Sequence, residues 1–238
     1  MKLENRRIVG FEALVRWQHP TRGLLAPDEF ISLAEETGLI VSMGEWVLTE
    51  ACRQMRKWQV QFPVDPPLTI SINLSAKQCA QTDLVQKITG VLQKTGLDAG
   101  DLKLELTESV IVQDIESTSA IFSKLRALGM QVYIDDFGTG YSSLGYLQTL
   151  PIDSLKIDQT FISRIGTNGS GSDIVRTILT LAHSLRMKVI AEGVETDEQL
   201  TELRSLECEF GQGYLFSKPI DSKKASALLA KSFAGVAS

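Results

Sequence analysis

The stretch Gln131-Val132-Tyr133-Ile134-Asp135-Asp136-Phe137-Gly138-Thr139-Gly140-Tyr141-Ser142-Ser143 decides the fold. Its opening, Gln131 to Ile134, has the β-branched and aromatic character of a short strand, and it runs out on two adjacent carboxylates and a glycine-bearing loop. Neighbouring carboxylates at a strand exit are costly to bury unless a cation sits between them, so the pair marks a metal site. Other strands end in the same way. Glu12, Asn73, Glu105, Lys156, Glu192 and Gln212 each lie inside or just after another short β-branched or leucine-rich run. Oxygen ligands and a lysine gathered at the ends of many strands describe an enzyme mouth.

Working outward, the chain repeats one unit: a short apolar strand, a polar exit, then an amphipathic helix. Strands are predicted at Ile8 to Val15, Leu68 to Leu74, Leu102 to Leu106, Gln131 to Ile134, Ser154 to Ile157, Lys188 to Ala191 and, more weakly, Glu209 to Leu215. Helices are predicted at Met43 to Gln61, Leu84 to Lys94, Asp114 to Leu128, Ser172 to Leu185 and Asp197 to Leu206, with caps at Pro27-Asp28-Glu29 and Thr196-Asp197-Glu198. Such alternation makes the strands parallel and leaves two architectures, the doubly wound sheet and the (β/α)8 barrel. The barrel is preferred, because functional side chains leave nearly every strand rather than one switch point. The count is one strand short of eight. The whole of 1–238 is taken as a single α/β domain, and Gly166-Thr167-Asn168-Gly169-Ser170-Gly171 as a loop within it rather than a linker.

The chain has 238 residues, 43% of them hydrophobic, which suits one large globular domain with a substantial core. A formal net charge of −5 gives no general attraction to nucleic-acid polymers or anionic lipid, so a phosphate-bearing ligand needs local cations. Cys52, Cys79 and Cys208 are odd in number and widely spaced, which fits free thiols in a reducing cytoplasm. With only His19 and His183, a histidine-based metal site or triad has little material, and both are expected to be structural. No run is long and apolar enough for a membrane span, and the start of the chain does not resemble a signal peptide.

Taken singly, the polar residues have ordinary explanations. Glu12 and Glu105 would be outward-facing strand residues, Asn73 a strand-end cap, Lys156 a salt-bridge partner. Their joint occurrence argues otherwise. Carboxylates with one amide carbonyl suit Mg2+ or Mn2+ rather than zinc or copper, and five carboxylates over-fill one octahedral site but suit two ions sharing a carboxylate. Beside such a site Lys156 would orient or deprotonate a nucleophile. Of Glu192 and Glu195, one would be a ligand and the other its support. Asp136-Phe137-Gly138 is not a kinase signature, because no glycine-rich ATP loop or H-R-D accompanies it. The glycines after Phe137 are expected to allow a mobile loop over the metals.

These residues resemble the EAL domain, the family of cyclic di-GMP phosphodiesterases. Glu12-Ala13-Leu14 is the eponymous tripeptide. It is followed in the family's order by Ser71-Ile72-Asn73-Leu74-Ser75, Glu105-Leu106-Thr107-Glu108, the Asp135 to Ser143 segment, Leu155-Lys156-Ile157-Asp158, Ala191-Glu192-Gly193-Val194-Glu195 and Gly211-Gln212-Gly213-Tyr214. The resemblance implies a TIM-like barrel whose first strand is antiparallel, hydrolysing cyclic di-GMP to linear pGpG with two Mg2+ or Mn2+ ions. It implies Glu12, Asn73, Glu105 and Asp135 as ligands of one ion, and Asp135, Asp136 and Glu192 as ligands of the other. Lys156 would position the attacking water, Glu108 would tether the loop from Phe137 to Ser143, and Glu195 would support the site. Arg16, Leu14, Asp158 and Gln212 would lie on the substrate side.

Family members carry a helix and a Tyr-Gln-Pro-like strand before the E-A-L strand, whereas only Met1 to Arg7 precede Ile8 here. The barrel gap is therefore expected to be filled by Met1 to Arg7 or by a neighbouring chain, or to stay open. The resemblance further implies upstream sensory or cyclase domains, pairing of two copies, and a cytoplasmic location, either free or as part of a membrane-attached bacterial protein. Two other readings stand beside the phosphodiesterase: a non-catalytic cyclic di-GMP receptor, against which the complete motif set argues, and an enolase-type lyase, for which a second catalytic lysine or histidine is missing.

Overall fold

The computed structural model describes residues 1–113, 115–139, 144–166 and 170–233. The strands are β1 (Gly10–Ala13), β2 (Trp17–His19), β3 (Gly23–Leu25), β4 (Thr69–Asn73), β5 (Leu102–Thr107), β6 (Gln131–Phe137), β7 (Ser154–Ile157), β8 (Lys188–Ala191) and β9 (Phe210–Gly211). Seven of them form one sheet in the order β1-β4-β5-β6-β7-β8-β9, every neighbouring pair parallel. Spatial order repeats chain order, so each crossover lays its helix on the same outer face and the sheet curls into a half-barrel.

Strand alternation sorts the side chains into two populations. On one face Ile70, Ile72, Leu102, Leu104, Leu106, Val132, Ile134, Leu155 and Val189 are buried beneath the helices. The opposite face carries Glu12, Lys103, Glu105, Tyr133, Asp135 and Lys156 into the barrel interior. Helix Leu39–Gln61 shows how the outer layer is held. Its buried Leu48, Cys52, Met55 and Trp58 recur at helical spacing, and Trp58 packs on Phe11 and donates its indole N–H to Ser226 (2.8 Å). No helix among the described residues is long and apolar enough to cross a membrane.

Each expected strand is present, Ser154–Ile157 and Lys188–Ala191 with the expected bounds and the others with altered ones. β6 continues to Phe137, so Asp135 and Asp136 lie within the strand rather than after it. The last strand shrinks to Phe210–Gly211, because Gly213 to Phe216 turn, with Phe216 N–H bonded to the Gly213 carbonyl (3.1 Å). The helix expected from Met43 begins at Leu39, directly after Gly38 in the left-handed region (φ 79°). The one expected from Asp114 becomes Glu108–Gln113 and Ile115–Ala127, with Asp114 outside the described residues. Thr196 caps its helix as anticipated, accepting from Gln199 N–H (3.1 Å). The β2–β3 hairpin was not anticipated; His19 Nδ1 stabilises its turn by accepting from the Thr21 and Arg22 N–H groups, both at 3.2 Å.

The gap between β9 and β1 is partly filled by the chain itself. Met1–Leu3 run antiparallel to β9: Gly211 N–H donates to the Met1 carbonyl (3.0 Å) and Leu3 N–H to the Glu209 carbonyl (2.9 Å). On the other side Lys2 N–H donates to the Arg7 carbonyl (2.9 Å). Leu3 is fully buried and belongs to the main core.

Because Leu104 is fully buried on a central strand, Leu104→Ala is expected to lower unfolding free energy by about 2–5 kcal/mol through lost transfer energy and a residual cavity. Urea unfolding checks this, with an unchanged m-value marking an intact fold.

Candidate active site

The carboxyl ends of the parallel strands converge on Lys156 of β7. Its ammonium, 1% exposed as a residue, lies 2.7 Å from Glu105 Oε2, 2.7 Å from Glu192 Oε1, 3.1 Å from Asp135 Oδ1 and 3.6 Å from Glu12 Oε2. These partners come from β5, the exit of β8, β6 and β1, so no two share a strand. Gln212, just after β9, spans the remaining side, its Nε2 donating to Glu12 Oε2 (2.8 Å) and Glu192 Oε1 (2.7 Å). Asn73 Nδ2 donates to Glu12 Oε1 (2.8 Å), which leaves its carbonyl oxygen uncommitted to that bond.

Adjacent residues on a regular strand point to opposite faces, yet oxygens of both Asp135 and Asp136 lie within 4.8 Å of one from Glu192. The β6–β7 register shifts between Ile134 and Phe137, and Asp136 takes φ 53°. This bulge brings both carboxylates to one mouth, at a backbone cost of about 1 kcal/mol that aspartate tolerates better than most residues.

Four carboxylates therefore face one buried ammonium, and a fifth, Asp136, stands beside Asp135 and Glu192. Burial alone would lower the Lys156 pKa, but Glu105, Glu12, Glu192 and Asp135 together raise it well above the ordinary lysine value. The carboxylates respond unequally. Burial, opposed by Lys156, pushes Glu105 up to about 7 and Glu192 up to about 8, with neighbouring carboxylates adding to the rise. Burial and then Asp135 also raise Asp136. Glu12 goes the other way: burial pushes it up, but Lys156 and the amides of Gln212 and Asn73 outweigh that and hold it below the usual range. The cluster holds more carboxylates than its lysine can balance, and burial shifts Glu192, Glu105 and Asp136 toward their neutral forms.

The other expected site residues are placed as follows. Glu108 is buried, and its Oε2 accepts from Gly138 N–H (3.3 Å); Oε1 has no hydrogen-bond partner among the described residues. Gly140 to Ser143, the rest of the expected mobile loop, lie outside the described residues. Glu195 is exposed, donates its backbone N–H to Gln199 Oε1 (2.7 Å) and joins none of the Lys156 ion pairs. Asp158 Oδ1 caps the helix Gln159–Ile162 by accepting from Thr160 N–H (2.9 Å). Leu14 is exposed, and Arg16 Nη1 donates to the neighbouring Val15 carbonyl (2.7 Å). Lys103 and Tyr133 were not anticipated. They form a layer beneath Glu105 and Asp135, with the Lys103 ammonium 5.1 Å from the Tyr133 ring centroid and burial lowering its pKa to about 8. Their signal was strand parity, two residues before Glu105 and Asp135.

The family model for the EAL domain matches residues 1–219. The chain belongs to the EAL domain family. This EAL domain is 44% identical over 220 residues to the cyclic di-GMP phosphodiesterase NbdA of Pseudomonas aeruginosa, covering 92% of this chain and 28% of that protein. It is 44% identical over 226 residues to the bifunctional diguanylate cyclase/cyclic di-GMP phosphodiesterase MucR of the same organism, covering 95% and 33%. The solved PaMucR phosphodiesterase in its c-di-GMP complex superposes with a TM-score of 0.87 at 44% identity, over 91% of this EAL domain and 87% of that chain. The EAL enzyme Bd1971, bound to cAMP and cyclic-di-GMP, superposes with a TM-score of 0.91 at 36% identity, over 96% and 62%. The EAL domain spans about a third of the length of the curated relatives it matches.

Glu192→Gln tests the charge excess. A raised carboxyl pKa means that between the ordinary value near ~4.3 and about 8 the folded protein holds a proton that the unfolded chain releases, so this group costs stability as pH rises through that window. In chelator, the variant is expected to match wild type in melting temperature at pH 4 and to exceed it by several degrees at pH 8.5. Scanning calorimetry across pH reads the difference.

Proposed function

We propose that this EAL domain hydrolyses cyclic di-GMP to linear pGpG with two divalent cations, Mg2+ or Mn2+. One observation carries the reading. Glu12, Glu105 and Asp135 present oxygens within 4.8 Å of one another, Asp135, Asp136 and Glu192 do the same, and Asp135 belongs to both groups. Two ion sites sharing one carboxylate suit in-line phosphodiester cleavage, in which paired ions clamp the attacking and leaving oxygens. The donors also fit the ions chemically, being hard oxygens whose excess negative charge is relieved by a cation.

Glu12, Glu105, Asp135 and the Asn73 carbonyl would hold one ion, and Asp135, Asp136 and Glu192 the other. When bound, the ions neutralise charge on the phosphoryl oxygens and acidify water. The chain's own groups do the rest. Lys156 stays protonated at the centre of the mouth, where it orients the attacking water and opposes charge developing on the phosphoryl group. Gln212 keeps Glu12 and Glu192 at fixed separation. Arg16 and Leu14 at the rim would meet a substrate phosphate and base, and Glu108 would hold the loop after Phe137 through Gly138. The identity of two relatives named for cyclic di-GMP phosphodiesterase activity supports the substrate. Glu195 and Asp158 would act through their loops, as neither enters the cluster.

Incubation with cyclic di-GMP and Mn2+ is expected to yield pGpG by chromatography, and chelator to stop it. Asp135→Asn should weaken metal binding itself. Lys156→Ala should cut turnover at least a hundredfold with bound metal and ligand affinity largely retained, because a water-orienting group acts in the transition state. Tight ligand binding without product at any metal concentration would replace catalysis by the receptor reading.

A further inference from the structure

Among the described residues, Gln212 is the neutral side chain that bonds both Glu12 and Glu192. Its backbone is held on one side by the exit of β8, its N–H donating to the Ala191 carbonyl (2.8 Å) and its carbonyl accepting from Val194 N–H (3.0 Å), and on the other by what packs on the two residues before it. β9 contributes only Phe210 and Gly211, too short to hold its position by pairing with β8 alone. Further support comes from the opposite side. Met1 and Gly211 exchange backbone bonds, Met1 nitrogen to the Gly211 carbonyl (2.7 Å) and Gly211 N–H to the Met1 carbonyl (3.0 Å). Leu3 lies so close over Gly211 that a Cβ there would meet Leu3 Cδ2 at 2.7 Å. Arg204 clamps the far side, its Nε donating to the Leu3 carbonyl (2.7 Å) and Nη2 to the Glu4 carbonyl (3.2 Å), while Arg6 pairs with Asp197 on the same helix.

We propose that Leu3 is a positioning residue: packed on Gly211, it fixes the backbone from which Gln212 bridges Glu12 and Glu192. The inference rests on the reading of those carboxylates as metal ligands. Gln212 stands to them as an outer partner that sets ligand orientation, and loss of such partners costs metal sites 10–100-fold in affinity. Leu3 makes no contact with the mouth, so its influence must pass through the backbone it packs on.

A double-mutant cycle on the full chain tests this, with Mn2+ affinity read by titration calorimetry at a temperature where circular dichroism shows every variant folded. Leu3→Ala and Gln212→Ala are each expected to weaken Mn2+ on the order of tenfold. The double variant should be no weaker than Gln212→Ala, because the route through Gln212 is already cut. Leu3→Met should restore affinity and the milder Leu3→Val should lose part of it. Leu125→Ala, an equally buried leucine elsewhere in the core, should lower the melting temperature and leave Mn2+ affinity intact. Additive losses in the double variant, or a loss in Leu125→Ala equal to that in Leu3→Ala, would overturn the proposal. Failure of wild type to bind Mn2+ would count against the metal reading. The positioning role is then decided by the Gln212 side-chain amide NMR signals in chelator: they should move in Leu3→Ala while those of Gln59, bonded to Leu68 and Asp101, stay in place, and unmoved Gln212 signals would overturn it.

Discussion

The buried Lys156 ammonium is the constraint on which the rest of the mouth depends. Taking an ammonium out of water costs several kcal/mol, and only close carboxylates offset it. Here four carboxylates lie within 3.6 Å, each from a different strand or strand exit. The lysine therefore ties together β1, β5, β6, β7 and β8 at their carboxyl ends, where parallel strands have no hairpins to hold them. Compensation overshoots: with Asp136 added, the carboxylates outnumber the lysine five to one. The same interaction that ties the strand ends together leaves more carboxylates than the lysine can balance.

Two backbone devices turn this charge arrangement into a defined geometry. The bulge in β6, with Asp136 at φ 53°, lets consecutive aspartates serve one mouth. The seam at β9, partly filled by Met1–Leu3 and braced by Arg204, lies directly before Gln212. Both lie where the regular ladder is interrupted or short: in the bulge the Asp135 carboxylate accepts from Asp136 N–H (2.9 Å), and beside β9 the chain is held by backbone bonds to Met1 and Leu3. The apolar outer layer backs the strands. Leu104, Val132, Leu155 and Val189 are fully buried on the strands whose opposite faces carry the charges. Below them, Lys103 and Tyr133 keep the interior polar for another layer, so the barrel is not filled by hydrocarbon alone.

Much of this was legible because charge in an apolar strand has few explanations. Glu12, Glu105 and Lys156 each interrupt a hydrophobic run, and all three meet within one ion-pair network. Local chemistry also identified the Thr196 cap, where side chain and backbone lie within one turn. The misreadings have physical causes. β6 was cut at Ile134 because aspartates are poor strand formers, and pairing of Asp135 with Thr107 and of Phe137 with Ile157 across the bulge extends it. The β2–β3 hairpin escaped notice because its strands are three residues each and its turn rests on the His19 ring rather than on a glycine pair. The capping role of Asp158, whose Oδ1 accepts from Thr160 N–H, was not legible, because it depends on where the chain turns next.

By itself, the amino-acid sequence determined the alternation of strands and helices, the parallel sheet, and which polar residues stand at strand ends. Those properties follow from periodicity and from the cost of burying charge, both local. Tertiary structure alone decided that residues as far apart as Glu12 and Gln212 touch, that Asp135 and Asp136 share a face, and that Glu195 stays in solvent. It also decided how the seam beside β9 is filled. These outcomes depend on strand register, on a bulge and on the curl of the sheet, which arise only when all seven strands pair and the distances between their ends are set together.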